Sequence, residues 1–84
     1  MGEILQLKEA LVEVGSRVVV ELKYGRTLSF TLTEPNLGDP DRGLVSCDTP
    51  LGKAILGKRE GEEVTYKVGE QTLGAKVIKV SRTN

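Results

Sequence analysis

Histidine and tryptophan are absent from this chain, and cysteine occurs once, at Cys47. Without imidazole, every catalytic scheme built on a histidine base is excluded. Without histidine or a second cysteine there is no ordinary zinc ligand set and no intramolecular disulfide, a usage that fits a reducing cytoplasm. A lone thiol in a short apolar stretch reads as a buried structural side chain before it reads as a reactive one. Tyr24, Phe30 and Tyr66 are the whole aromatic set, too few for the stacking platforms used by single-stranded nucleic-acid binders. The run Val18-Val19-Val20 falls far short of a membrane span, and the N-terminus lacks the basic start, apolar stretch and cleavage site of a signal peptide, so a soluble, cytoplasmic chain is expected. Neither sign of charge dominates. Twelve basic residues balance twelve acidic ones, which removes any broad attraction to nucleic acid or anionic membrane and leaves local geometry to select a partner.

What is present is enough chain for one small domain. At 84 residues, a single modest core is expected and a second domain is not. The pattern "SRVVVELK" (Ser16 to Lys23) sets Val18, Val20 and Leu22 on one face of a strand, and "RTLSFTLT" sets Leu28, Phe30 and Leu32 on one face of the next. Tyr24-Gly25 between them predicts a turn and an antiparallel hairpin. "EPNLGDPDRG" (Glu34 to Gly43) is built of turn residues and reads as a surface loop, after which "LVSC" suffices for a short strand.

Helix signals cluster next. Thr49 supplies a capping hydroxyl and Pro50 suits the first helical position, where a missing N–H costs nothing. Leu51, Ala54 and Ile55 form one apolar stripe, and Gly57 followed by Lys58-Arg59 marks the stop. A second hairpin closes the chain. "EEVTYKV" alternates regularly, whereas in "TLGAKVIKV" the apolar parity changes near Val77, predicting a bulge or a strand buried on both faces. At the other end, Ile4, Leu7 and Leu11 fit a short helical stripe, although "ALVEV" equally suits the start of a strand. The division expected is an N-terminal extension or linker over residues 1–12 and a domain over 13–84. The fold class is α+β, a twisted, mainly antiparallel sheet with one short central helix.

A search for chemistry finds little. A Ser or Thr nucleophile would need a lysine partner within hydrogen-bond reach, and no spacing here singles out such a pair. Asp39 and Asp41 have the chemistry for a hydrated magnesium ion, but "DPDRG" is more simply a turn. Glu60, Glu62 and Glu63 beside Lys58 and Arg59 read as a solvated turn with weak ion pairs, to which no role is assigned. No phosphate loop or dinucleotide fingerprint occurs. No metal and no cofactor are therefore expected.

The segments "VGSRVVVEL", "LVSCDTPLGKAILGKREGEEV" and "GEQTLGAKVIKV" together resemble the C-terminal domain of the GreA/GreB family of bacterial transcript cleavage factors, over roughly Val12 to Val80. The most specific piece is an Asp/Asn-Ser-Pro triplet before a short apolar helix and a Gly-Lys step, represented here by Asp48-Thr49-Pro50, Leu51 to Leu56, and Gly57-Lys58. The resemblance implies an FKBP-like fold and docking on RNA polymerase, at the β′ subunit coiled coil on the rim of the secondary channel. Asp48, Thr49 and Pro50 are the implied contacts, with Lys53 a weaker one. Thr49 departs from the usual serine, and the family's long N-terminal coiled coil with its catalytic carboxylates has no counterpart in these residues. The expected product is a monomeric, non-catalytic polymerase-binding module that modulates elongation, with no membrane or sequence-specific nucleic-acid partner. The alternative reading is an FKBP-type peptidyl-prolyl isomerase or chaperone-like domain, for which three aromatics are poor material.

Overall fold

The computed structural model describes residues 11–82, so Ile4 and Leu7 of the expected helical stripe lie outside the described residues. Five strands and one helix follow in order: β1 (Ser16–Glu21), β2 (Thr27–Thr33), β3 (Leu44–Ser46), α1 (Pro50–Ile55), β4 (Glu63–Val68) and β5 (Gln71–Arg82). The strands make one sheet in the order β3-β2-β1-β5-β4, antiparallel throughout except for the β2–β3 pair, which is parallel. This is the α+β architecture that the alternating patterns require.

The alternating strands bury the middle of the parity that the sequence marks as apolar, while Leu28 and Val68 at its ends stay exposed. Val18 and Val20 of β1, Phe30 and Leu32 of β2, and Ala75 and Val77 of β5 enter the core, where Ile55 of α1, Val64 of β4 and Val12 meet them. The phase change in β5 is a bulge. Val20 pairs with Val77 and Val19 with Lys79, leaving Ile78 as the extra residue. The insertion returns Val80 to the core, so Val77 and Val80 are both buried while Ile78 stays exposed.

Beyond the start of β4 the backbone continues to shadow β5. Gly61 donates to the Val77 carbonyl at 2.7 Å and Val77 donates to the Glu62 carbonyl at 2.9 Å. Where the bulge breaks this ladder, the Glu60 carboxylate accepts the Val80 N–H at 2.8 Å. The acidic run, read from sequence as a solvated turn, thus includes a side chain that closes a strand edge. The helix stops at Ile55 with Leu56 as its C-cap, and Gly57 just beyond lies in the left-handed region at φ 82°. There Gly57 donates to the Val12 carbonyl (2.8 Å) and Val12 to the Lys58 carbonyl (2.9 Å), tying the chain before β1 to the end of α1.

Candidate functional site at the start of the helix

Sharp chain reversal between β3 and α1 places Asp48, Thr49 and Pro50 at one corner. Thr49 is extended, at φ −81° and ψ 164°, and its hydroxyl works in both directions. It donates to the Ser46 carbonyl at 2.8 Å and accepts the Gly52 N–H at 3.1 Å. The first helical bond follows, from Lys53 N–H to the Thr49 carbonyl at 2.8 Å. Pro50 occupies the first helical position, as its fixed φ favours. With its hydroxyl engaged on both sides, Thr49 is a structural cap and not a nucleophile.

The cap leaves Asp48 out. Its side chain is exposed and has no hydrogen bond or ion pair among the described residues. Pro50 and Lys53 are exposed as well, three residues apart and hence neighbours on the helix surface, while Thr49 is half-buried. The fold therefore presents one carboxylate, one rigid apolar ring and one ammonium from a corner held by the Thr49 bonds.

Two features of this corner are not marked in the sequence reading. Gly52 is buried against the preceding turn: a Cβ there would collide with the Ser46 carbonyl and stand 2.9 Å from Cys47 Cα. The corner is closed so tightly that only glycine fits. Beside Thr49 lies a shallow hollow lined by Asn36, Gly38, Pro40, Leu44, Val45 and Ser46, with Leu37 exposed nearby. Its wall is the loop read as turn residues. Gly38 permits the wall to approach, since a Cβ there would lie 2.7 Å from Ser46 Oγ, and Asn36 takes the left-handed conformation at φ 69°. The only signal for this hollow is the placement of "NLG", which has meaning once β3 lies parallel to β2.

The other candidates resolve locally. Asp39 caps the short 3-10 turn Pro40–Arg42, its carboxylate accepting the Asp41 N–H at 3.2 Å with Arg42 Nε at 3.9 Å. Among the described residues no group of three His, Cys, Asp or Glu side chains is placed to hold a metal ion, and no helix is long and apolar enough to cross a membrane. Cys47 is half-buried against the core and donates its backbone N–H to the Thr33 carbonyl at 2.8 Å. Phe30 is a core residue, whereas Tyr24 and Tyr66 line a different hollow, between the tip of the first hairpin and the flank of the second.

The family model described as "Transcription elongation factor, GreA/GreB, C-term" matches residues 7–82. Transcription elongation factor GreA of Listeria welshimeri is 34% identical over 84 aligned residues, covering 95% of this chain and 52% of that protein. GreA of Thermodesulfovibrio yellowstonii is 31% identical, covering 90% of this chain and 49% of that one. The chain thus spans about half the length of these curated relatives. Among solved structures, a prokaryotic transcription elongation factor GreA/GreB from Nitrosomonas europaea superposes with a TM-score of 0.67 at 26% identity, covering 84% of this chain and 60% of that chain. GreA factor homolog 1 of Thermus thermophilus gives a TM-score of 0.72 at 24% identity over 87% of this chain and 49% of that one, a likeness of fold.

Proposed function

The chain belongs to the GreA/GreB family through its C-terminal domain, and on that premise we propose that it is a non-catalytic module that docks on RNA polymerase and modulates transcription elongation. The docking point is the β′ coiled coil at the rim of the secondary channel, and the sheet with its one helix is of the FKBP-like class. Asp48 supplies the charge, Pro50 the rigid apolar contact, Thr49 the fixed corner, and Lys53 a flanking cation. The observation that carries this reading is the exposed, unpartnered Asp48 carboxylate beside a cap that needs only Thr49 and Pro50. An acidic residue that local structure does not use, on a corner tied by the two Thr49 bonds, is suited to meet a basic partner as a charge-assisted contact. The hollow beside Thr49 offers an adjoining surface for a partner's apolar side chain.

Asp48→Arg separates docking from folding. Asp48 takes no part in the cap bonds, and exchanging a carboxylate for a cation beside a helix N-terminus costs about 1 kcal/mol, so the thermal midpoint should fall by no more than about 8 °C. Capture of core RNA polymerase on the immobilised chain should fall at least about tenfold, as expected for reversing a buried interfacial charge. Undiminished capture by the Asp48→Arg chain would remove Asp48 from the interface. In a transcription reaction, the parent chain should compete with full-length GreA for polymerase and the Asp48→Arg chain should not.

A further inference from the structure

Strand β5 is longer than either of its partners, and part of its edge has no neighbour. The Val77 bonds to Gly61 and Glu62 show that the Val77 peptide groups face the β4 side. Backbone direction alternates with period two, so Gln71, Leu73 and Ala75 also face β4, while Thr72, Gly74 and Lys76 face the β1 side. Yet β1 reaches only Lys76, which pairs with Glu21. From there the chain turns off, with Leu22 donating to the Arg26 carbonyl at 2.6 Å and Lys23–Gly25 wound into a 3-10 turn. Among the described residues no strand stands beside Thr72 and Gly74. The two hairpins diverge there, and the notch between them opens on both faces of the sheet, with Gly74, Leu22 and Lys23 lining both mouths.

Gly74 is an independent sign. A Cβ at this position would meet only the Val64 carbonyl, at 3.9 Å, and the residue is outside the left-handed region. The fold makes no demand for glycine here, although glycine inside a strand weakens it; one use of such a glycine is to let a ligand or another backbone approach closely. The walls add chemistry. One mouth combines Leu22, Tyr24, Tyr66 and Leu73 with Lys23 and Arg26 and contains no carboxylate, while the other sets Glu21 and Glu63 beside Lys23 and Lys76. Tyr24 is 91% exposed and sits at φ 63°, a conformation costly for a tyrosine, with Lys23 Nζ 6.0 Å from its ring centroid.

We propose that this notch binds an extended, acidic peptide segment of a partner protein, which adds to the free edge of β5 by backbone pairing at Thr72 and Gly74. Residues two apart on a strand share a face. The segment therefore sets an apolar side chain against Leu22, Tyr66 and Leu73 and, two positions along, a carboxylate on Lys23 and Arg26. Backbone bonds supply affinity and the alternate side chains supply selection, as in other cases of strand addition. This site shares no lining residue with the hollow beside Thr49 and does not depend on polymerase docking.

The test uses the isotopically labelled full chain and the peptide acetyl-Ser-Val-Thr-Glu-Thr-Ser-amide, followed by amide chemical shifts and solvent exchange. Binding in the millimolar range or tighter is expected, with exchange at Thr72 and Gly74 slowed at least about tenfold at saturation. A peptide with Lys in place of Glu should bind at least about tenfold more weakly, and Lys23→Glu combined with Arg26→Glu should reverse that preference. Gly74→Val should raise the thermal midpoint, because valine suits a strand better, yet weaken the peptide at least about tenfold. Absence of protection at Thr72 and Gly74 with peptide at about 5 mM overturns the inference. So does a Gly74→Val chain that binds as the parent does or melts lower than it. Preferential binding of a six-nucleotide oligothymidine at Tyr24 and Tyr66, without amide protection, replaces the peptide with a nucleic acid and equally overturns it.

Discussion

At the scale of single residues, the corner before α1 depends on two small side chains with opposite requirements. Thr49 must carry a hydroxyl, because that group bridges the Ser46 carbonyl and the Gly52 N–H. Thr49→Ala should cost about 1 kcal/mol in urea unfolding, the usual loss for a helix cap, while Thr49→Ser should retain most of it. Gly52 must carry nothing. Gly52→Ala places a methyl group against the Ser46 carbonyl and Cys47 Cα, backbone that has no flexible end to yield, so a loss of about 3 kcal/mol is expected. The sequence names Thr49 as a cap through its place before Pro50. It is silent on Gly52, since helix propensity alone would favour alanine there and the objection comes from a turn that packs across the helix.

At the scale of elements, β5 shows how one inserted residue organises its surroundings. Ile78 shifts the register against β1, Val80 returns to the core, and the Val80 N–H finds its acceptor in the Glu60 side chain in place of a ladder carbonyl. Glu60→Ala should therefore destabilise the domain by about 1 to 2 kcal/mol, the cost of leaving a partly buried donor unmet, and amide exchange at Val80 should accelerate more than at Val18. An equal acceleration at both positions would show only a general loss of stability and would remove the specific role given to Glu60. The phase change near Val77 is visible as a parity break in "AKVIKV". Its resolution as a bulge is not, because a strand covered on both faces would show the same letters.

At the scale of the whole molecule, segments distant in sequence meet to finish the domain. Val12 is 1% exposed, lies in the same core as Ile55 and Val80, and exchanges backbone bonds with Gly57 and Lys58. Val12→Ala should lower stability by about 2 kcal/mol through lost burial and the cavity it leaves, measurable as a lower urea midpoint with an unchanged slope. A change in slope would indicate that the N-terminal segment detaches instead of loosening the core. The neutral balance of charge supplies no net attraction to a charged partner, so recognition rests on the groups that the fold presents at particular places.

The sequence by itself determined the local elements: two hairpins from alternating parity, a short helix from Thr49-Pro50 and its apolar stripe, and a surface loop from its turn residues. These follow from side-chain periodicity and backbone dihedral preference, which act within a few residues. Asp48 enters from the sequence only through the family resemblance. Only the tertiary structure decided that β3 runs parallel to β2, that Glu60 seals β5, that Gly52 is forbidden a side chain, and that β1 ends before β5 does. Those outcomes depend on contacts between residues distant in the chain, where the register of one strand determines what another leaves uncovered. The free edge at Gly74 is one such remainder: its letter in the sequence is an ordinary glycine, and its meaning comes from the strand that is not beside it.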